Sequence, residues 1–361
     1  MSTQVLPTTV IGSYSVPDWL GQLRNDFYRR RISRHHLDDI TETAIKAAVL
    51  DQERAGIDIV TDGELRRDND IDYLLARIPG VQIAHLDKPD YFDYYDAGVS
   101  QPLPVPGGED LGLVADLGFL RQLTDRPVKV SLTGPFSLSR RIRNTAYADQ
   151  AGLVRDLARL LSAEAARLAE AGAQLLQIDE PFLAGYPEDV ELAVDAVNIV
   201  TAGAAVHWTL HVCYGNRFAR PLWAGHYDFL FPAVKNAQVD QLALEFARTG
   251  DEDLSLLRQY DWDRGLGLGV IDVKTEQVES PDLVAGRIRR AVQIVPPDRL
   301  VINPDCGLRH LPPGVARAKL AAMVAGTERV RAELCASPEE ATGRNERTNA
   351  PEVQPAKGVS K

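Results

Sequence analysis

A histidine and a cysteine two residues apart give this sequence its clearest chemical signal. His211 and Cys213 close an apolar, β-branched run, Trp208-Thr209-Leu210-His211-Val212-Cys213-Tyr214. In an extended strand, side chains at positions i and i+2 point to the same side, about 6.6–7 Å apart along the backbone. A second cysteine, Cys306, ends another strand-like run within Asn303-Pro304-Asp305-Cys306-Gly307. Two thiolates and one imidazole form the protein part of a zinc site that keeps a position for a further ligand.

Glu245 offers a fourth ligand from the run that follows. It is the one acidic residue in the apolar stretch Leu242-Ala243-Leu244-Glu245-Phe246. Carboxylate oxygens bind zinc beside sulfur and nitrogen ligands. The alternative is that Glu245 lies at the rim of the fold and pairs with an arginine such as Arg248. A single buried cysteine also has an alternative interpretation, because it usually packs as a small apolar side chain.

Two further acidic motifs follow apolar runs. Asp179 and Glu180 come directly after one run, and Glu64 ends another. Carboxylates in such positions can hold a substrate ammonium group and take part in a hydrogen-bond network. The alternative is that these acids only balance the charges of Arg66 and Arg67.

These residues require a fold that brings strand ends together. Apolar, β-rich runs alternate with amphipathic stretches, of which Ala151 to Ala171 is the clearest helix. The eight runs are Thr8–Tyr14, Ile57–Glu64, Val128–Gly134, Leu175–Glu180, Val206–Cys213, Leu242–Phe246, Leu266–Asp272 and Leu300–Cys306. Eight alternating units predict an α/β fold of the (β/α)8 TIM-barrel type in one domain. The alternative is an open doubly wound sheet, but no Gly-x-Gly-x-x-Gly turn follows the first run.

Almost every run ends in a polar, acidic or sulfur-containing residue. Barrel enzymes carry their active sites at the C-terminal ends of the strands. The pattern therefore predicts one catalytic site at the mouth of the barrel.

The composition restricts the partners and the compartment. The 361 residues carry a net charge of −11, spread along the chain, and 45% of them are hydrophobic. Such a chain can bury a large core, and its acidity argues against nucleic-acid binding. Three distant cysteines do not predict a disulfide framework, and the sequence shows neither a secretory signal nor a membrane span. We expect a cytoplasmic protein with small-molecule substrates and no membrane partner; a homo-oligomer is compatible with the sequence.

Two segments fall outside the barrel pattern. Residues 85–109 are aromatic, acidic and rich in Pro and Gly, which predicts a long loop after the second strand. Loops of this length are often functional lids, and the alternative is a surface excursion or a dimer contact. Residues 335–361 lack an apolar period and predict a disordered tail, so the barrel domain is expected to span residues 1–334. Cys335 lies at that boundary and is interpreted as incidental.

The sequence resembles the cobalamin-independent methionine synthase family, and within it the catalytic C-terminal barrel. The resemblance extends to about residue 334. It rests on the motifs Ile11-Gly12-Ser13, Asp62-Gly63-Glu64, Leu132-Thr133-Gly134-Pro135, Ile178-Asp179-Glu180-Pro181, His211-x-Cys213-Tyr214 and Asn303-Pro304-Asp305-Cys306-Gly307. It implies a zinc enzyme that transfers a methyl group to the thiol of homocysteine and so forms methionine.

The resemblance also implies roles for individual residues. The zinc ligands would be His211, Cys213, Glu245 and Cys306. The residues around the homocysteine amino-acid group would be Ile11, Ser13, Glu64 and Asp179, with Glu180 beside them. Where the large members of the family have an Asp-x-His motif associated with methyl transfer, this sequence reads Asp272-Val273-Lys274. We therefore expect Asp272 and Lys274 at catalytic positions, with Lys274 in place of the histidine or with different chemistry.

Several functions remain open at this point. The large folate-binding members carry a second barrel, whereas this sequence resembles the short single-barrel form, so the methyl donor is not specified. The related epoxyalkane:coenzyme M transferases would open an epoxide with a zinc-bound thiolate, but Glu64, Asp179 and Glu180 favour an ammonium group over a sulfonate. Two further alternatives are a non-catalytic zinc- or thiol-binding barrel and a decarboxylase that shares the fold.

Overall fold

Strands and helices alternate over most of the residues that this computed structural model describes, 4–105 and 110–336. The strands are β1 (Gln82–Ile83), β2 (Ala97–Val99), β3 (Lys129–Thr133), β4 (Ile142–Asn144), β5 (Leu175–Asp179), β6 (His207–Val212), β7 (Gln241–Leu244), β8 (Gly265–Gly269) and β9 (Leu300–Asn303). The helices are α1 (Asp18–Tyr28), α2 (Arg34–Ala55), α3 (Asp72–Leu75), α4 (Leu113–Arg121), α5 (Pro135–Ser139), α6 (Gln150–Glu170), α7 (Val190–Thr201), α8 (Leu254–Gln259), α9 (Pro281–Ala291) and α10 (Pro313–Cys335).

Six parallel strands form most of a closed barrel. Their order is β3-β5-β6-β7-β8-β9, and every neighbouring pair is parallel. Single parallel bridges close the ring, from Thr8 to Ile302, from Thr9 to Ile59 and from Val60 to Val128. These bridges supply barrel positions one and two, so the predicted eight-position barrel is confirmed. All six strands end within three residues of one another around the same mouth, as the register of each pair requires.

The first two barrel positions are shorter than predicted. The runs Thr8–Tyr14 and Ile57–Glu64 pair through only one or two residues each. Side-chain hydrogen bonds replace part of the ladder, because Asp58 Oδ2 accepts from Thr8 N at 2.8 Å and from Thr8 Oγ1 at 2.9 Å. The remaining residues of both runs form loops that lead directly into the barrel mouth.

Helix α6 shows how local sequence sets an element of the outer layer. The predicted helix, Ala151 to Ala171, differs from the observed bounds by one residue at each end. Asp149 begins it by accepting a hydrogen bond from Gly152 N at 2.8 Å, a typical N-cap. Its Leu and Ala residues recur at helical spacing and are buried against the barrel. No helix within the described ranges combines the length and the apolar character needed to cross a membrane.

The segment predicted as a long loop is partly ordered by a second, small sheet. Strand β2 pairs antiparallel with β1 and parallel with β4. Phe92, in the middle of the segment, is buried. Residues 106–109 of this segment lie outside the described residues. The predicted disordered tail also lies outside them from residue 337 onward, and α10 extends to Cys335.

Candidate metal centre and substrate cavity

A cleft of about 590 Å³, including its opening, lies at the C-terminal ends of the barrel strands. We call it the mouth cavity. Its lining consists of Ile11, Ser13, Glu64, Asp70, Phe92, Asp179, Pro181, His211, Cys213, Asn216, Cys306, Gly307, Arg309 and His310. Seven of the eleven residues predicted for the site are among them. The cavity is therefore where sulfur, imidazole and carboxylate groups from distant parts of the chain meet.

His211, Cys213 and Cys306 form a compact cluster at the mouth cavity. Their ligand atoms all lie within 4.8 Å of one another, and among the described residues no other group of three or more His, Cys, Asp or Glu side chains does so. The two sulfur atoms are 3.5 Å apart. A hydrogen bond from the Cys213 thiol holds the pKa of Cys306 well below its usual value, and His211 and Lys274 lower it further against the effect of burial. The cluster thus already favours one thiolate.

The orientation of His211 fits a metal ligand. The residue lies on β6, and its Nδ1 is 3.0 Å from the carbonyl oxygen of Ala243 on the neighbouring β7. Because a carbonyl only accepts, Nδ1 carries the proton and Nε2 presents its lone pair. Nε2 is buried and has no hydrogen-bond partner. Metal-binding histidines are oriented by such a second hydrogen bond.

The donor set fits zinc. Two sulfurs, each about 2.3 Å from a tetrahedral zinc ion, would be about 3.8 Å apart, close to the separation seen here. Soft thiolates with one imidazole select zinc or a similar soft ion over magnesium or calcium. The role of these three residues as ligands remains a prediction, and their geometry supports it.

Glu245 occupies a different position from the other predicted ligands. It is fully buried, and it lies outside the group of ligand atoms that are within 4.8 Å of one another. Its Oε1 is 2.6 Å from Lys274 Nζ, and its Oε2 is 3.4 Å from Arg248 Nε. The pairing with Arg248, considered as an alternative to metal binding, is therefore present, and Lys274 joins it.

Asp272 and Lys274, predicted as catalytic, do not line the mouth cavity. Asp272 Oδ1 accepts a hydrogen bond from Lys274 N at 2.8 Å, which shapes the turn after β8. Burial opposes the charge of Lys274, but the Cys306 thiolate and the Glu245 carboxylate outweigh it and raise the pKa of the ammonium group. Lys274 therefore stays charged next to the cluster without facing the cavity.

The predicted substrate residues form the wall opposite the cluster. Glu64 Oε1 accepts from Ser131 Oγ at 2.6 Å, and Arg67 Nη1 is 3.7 Å from its other oxygen. Asp179 Oδ1 accepts from Gln177 Nε2 at 2.6 Å, and burial raises the pKa of this carboxyl to about 7. Both acids line the cavity, as Ile11 and Ser13 do. The wall offers acceptors for an ammonium group.

Ser13 comes close to the second cysteine because the residue after Cys306 is a glycine. A Cβ atom at Gly307 would lie 2.0 Å from Ser13 Oγ, a distance that only a displacement of Ser13 could relieve. The backbone confirms the contact, since Leu308 N donates to Ser13 O at 2.8 Å. Gly307 thus brings the loop of the first barrel position to the metal cluster.

Glu180, predicted beside the substrate, has a structural position instead. It is fully buried and does not line the mouth cavity. Its carboxylate accepts from Phe136 N at 3.1 Å, Ser137 N at 2.8 Å and Ser137 Oγ at 2.6 Å. These donors belong to the first turn of α5, where a negative charge is stabilising. Because Asp179 and Glu180 are consecutive at a strand end, their side chains point in opposite directions, and only Asp179 reaches the cavity.

Comparison with known proteins agrees with this geometry. A model of the family described as "Cobalamin-independent synthase, Catalytic domain" matches residues 6–329. The chain belongs to this family. A methionine synthase of Saccharolobus solfataricus is 35% identical over 341 residues, which cover 91% of this chain and 96% of the relative. A methionine synthase of Sulfurisphaera tokodaii is 34% identical over 333 residues, with 91% and 94% covered.

Solved structures also match this cobalamin-independent synthase chain. A B12-independent methionine synthase from Shewanella sp. W3-18-1, in complex with selenomethionine, superposes with a TM-score of 0.80 at 27% identity and covers 91% of this chain and 99% of its own. A protein from Listeria monocytogenes superposes with a TM-score of 0.70 at 22% identity, covering 93% and 100%, which shows the common fold. The resemblance inferred from the motifs, and the barrel, are confirmed.

In this member of the cobalamin-independent synthase family, five cavity residues had no role in the sequence-based prediction. They are Asp70, Phe92, Asn216, Arg309 and His310. Arg309 is buried and donates to the backbone oxygens of Arg67 and Glu64, at 2.9 and 3.3 Å, so it ties the acid loop to the cysteine loop. Arg309 and His310 follow the Asp305-Cys306-Gly307 motif, and that proximity is the one signal that points to them.

Phe92 and Asn216 come from long loops that have no periodic pattern. The Phe92 ring packs edge-on against His310, with centroids 4.9 Å apart, and against Phe218 at 5.2 Å. Asn216 Nδ2 donates to Gly307 O at 3.0 Å, while its Oδ1 is buried with no partner. The segment predicted as a lid or surface excursion therefore contributes a wall of the cavity through Phe92.

Proposed function

We propose that this protein transfers a methyl group to the thiol of homocysteine, forming methionine, at a zinc ion held by His211, Cys213 and Cys306. The observation that carries the proposal is the cluster itself, in which three ligand atoms lie within 4.8 Å of one another beside a wall of acids. Membership of the cobalamin-independent synthase family and the printed function of the relatives support it. Zinc supplies an open position where the pKa of a substrate thiol falls to the thiolate range.

The residues of the chain position the amino-acid end of the substrate. Glu64 and Asp179 accept hydrogen bonds from the ammonium group, which is a charge-assisted interaction. Ser13 and Arg309 offer a hydroxyl and a positive charge to the carboxylate. The sulfur then attacks the methyl carbon of the donor, and the bond from that carbon to the donor breaks with its electron pair remaining on the donor. Orientation of sulfur and methyl group at contact distance provides much of the acceleration.

The acid wall distinguishes this proposal from thiolate addition to an epoxide with coenzyme M. Three carboxyl groups, those of Glu64, Asp70 and Asp179, line the mouth cavity, against the one guanidinium group of Arg309. A sulfonate would meet repulsion there, whereas an ammonium group meets acceptors. The small-molecule partners are therefore homocysteine and a methyl donor. A reducing compartment such as the cytoplasm would keep both cysteine ligands in the thiol state.

X-ray absorption at the zinc edge of the zinc-loaded protein tests this function. We expect a first shell with two sulfurs that gains a third on addition of homocysteine. Coenzyme M at the same concentration is the matched control and should leave the sulfur count at two. A third sulfur from coenzyme M and none from homocysteine would overturn the proposal in favour of the epoxide chemistry.

A further inference from the structure

The Glu245 carboxylate is held by cations on both sides. Lys274 Nζ lies 2.6 Å from Oε1, and Arg248 Nε lies 3.4 Å from Oε2. Tyr214 N donates a further hydrogen bond to Oε1 at 3.3 Å. The side chain of Glu245 is fully buried, and that of Lys274 is 3% exposed. A buried ion pair of this kind persists because breaking it would leave an uncompensated charge.

The backbone on both sides of the pair is also fixed. Tyr227 OH accepts a hydrogen bond from Glu245 N at 2.9 Å and donates one to Val212 O at 2.9 Å, next to Cys213. On the other side, Lys319 Nζ donates to Asp272 O at 2.9 Å and holds the turn that carries Lys274. The ammonium and the carboxylate thus meet without freedom to move far apart.

We propose that Lys274 is a positioning residue that holds Glu245 off the metal and so keeps one coordination position available to the substrate thiol. This inference rests on the proposed function, because it takes the cluster to be the thiol-activating zinc site. Glu245 then acts as a reserve ligand, close to the cysteines but bound to Lys274.

Charge balance supports this assignment. Two thiolates neutralise a divalent ion, and the pair formed by Glu245 and Lys274 is itself neutral. A substrate that enters as a thiolate brings one negative charge and releases its proton to solvent. If Glu245 were also a ligand, without Lys274 beside it, the entering thiolate would meet a second excess negative charge in a buried site.

A direct contact between Lys274 and the substrate is the competing explanation. The geometry argues against it, because Lys274 does not line the mouth cavity and its ammonium group is already engaged by Glu245. If Lys274 acts only through Glu245, its replacement should have little effect once Glu245 can no longer carry a charge. That expectation defines a double-mutant cycle.

The cycle consists of the wild type, Lys274→Met, Glu245→Gln and the double variant, each loaded with zinc. Zinc affinity is measured by competition with a chromogenic chelator. Homocysteine affinity is measured by absorption spectra after Co²⁺ replaces zinc. Lys274→Met should raise zinc affinity about tenfold and weaken homocysteine binding about tenfold, because Glu245 becomes a permanent ligand. In the Glu245→Gln background the same change should alter either affinity less than about threefold.

Two control variants accompany the cycle. Lys274→Arg keeps the cation and should restore both affinities to near the wild-type values. Lys235→Met removes an exposed lysine far from the centre and should change neither. If the Lys274→Met chain does not fold, Lys274→Gln takes its place. The double variant removes both charges of the pair and therefore leaves no unpaired carboxylate in the core.

The outcomes separate this inference from the proposed function. Equal effects of Lys274→Met in both backgrounds would overturn the inference, because Lys274 would then act on the metal or the substrate directly. A wild-type protein that binds zinc but never homocysteine would overturn the proposed function. The zinc-affinity half of the cycle would still decide whether Lys274 controls Glu245.

Discussion

The mouth cavity has two sides that are built by different means. The metal side consists of His211, Cys213 and Cys306, and the acid side consists of Glu64, Asp70 and Asp179. Residues of the metal side lie on β6 or directly after β6 and β9, where the strand period and the barrel register set their directions. The acid side depends much more on loops and on contacts between distant side chains.

Glu64 shows the difference most clearly. Its backbone has a positive φ of 54°, which a residue with a side chain rarely adopts and which costs about 1 kcal/mol. The position is maintained by Ser131, which donates to its carboxylate, and by Arg309, which donates to its carbonyl oxygen. The comparison teaches that ligand geometry here follows from secondary structure, whereas substrate recognition follows from tertiary contacts.

The largest expected effect is on the metal side. Cys306→Ser should lower zinc affinity by more than about 100-fold, since even the loss of an outer hydrogen-bond partner of a ligand costs about 10–100-fold. Zinc content by elemental analysis should fall from near one per chain to well below that value, and methyl transfer should fall with it. Cys335→Ser, at the end of α10, is the control. Full retention of zinc in Cys306→Ser would show that the cluster is not the metal site.

An intermediate effect is expected on the acid side, with the metal side unaffected. Asp179→Asn removes a charged acceptor for the substrate ammonium group, which is worth about 1.5–3 kcal/mol. The KM for homocysteine should therefore rise about 10–100-fold while zinc content stays at the wild-type level. Steady-state kinetics and elemental analysis measure the two quantities, with the exposed Asp195→Asn on α7 as control. An unchanged KM would argue that the acid side does not contact this substrate.

The smallest effect on catalysis is expected one residue further along. Glu180→Gln should weaken the cap of α5, because two backbone donors would share one amide oxygen, and should lower the free energy of unfolding by about 1–3 kcal/mol. The KM for homocysteine should stay within about twofold of the wild-type value, since Glu180 does not reach the cavity. Urea unfolding and kinetics check this, with the exposed Glu188→Gln as control. A large rise in KM at full stability would return Glu180 to the substrate site.

The metal side was predictable from the sequence because its residue types are rare and its spacing is short. His211 and Cys213 share one strand, and Cys306 ends another, so the barrel alone requires them to converge. Glu245 was predicted as a ligand from the same logic, but no pattern in the sequence indicates that Lys274, 29 positions later, reaches its carboxylate. Ion pairs between loops depend on three-dimensional packing, which periodicity does not encode.

The acid side was predictable only in part. Strand alternation implies that Asp179 and Glu180 face opposite ways, but not which of the two faces the cavity. Phe92 and Asn216 come from irregular loops, where neither a period of two nor one of 3.6 residues applies. Arg309 reaches back across more than 240 residues to the loop of Glu64, a contact that only the closed fold creates.

The way in which the barrel closes also determines how easily its two halves open. Positions one and two of the ring, which lead into Ser13 and Glu64, are joined to their neighbours through single bridges, whereas β5 and β6 are paired over five residues. Amide protons in residues 8–14 and 57–64 should therefore exchange with deuterated solvent sooner than those of β5 to β9. The half that recognises the amino acid is the half that can yield to admit it, while the half that holds the sulfur ligands stays closed.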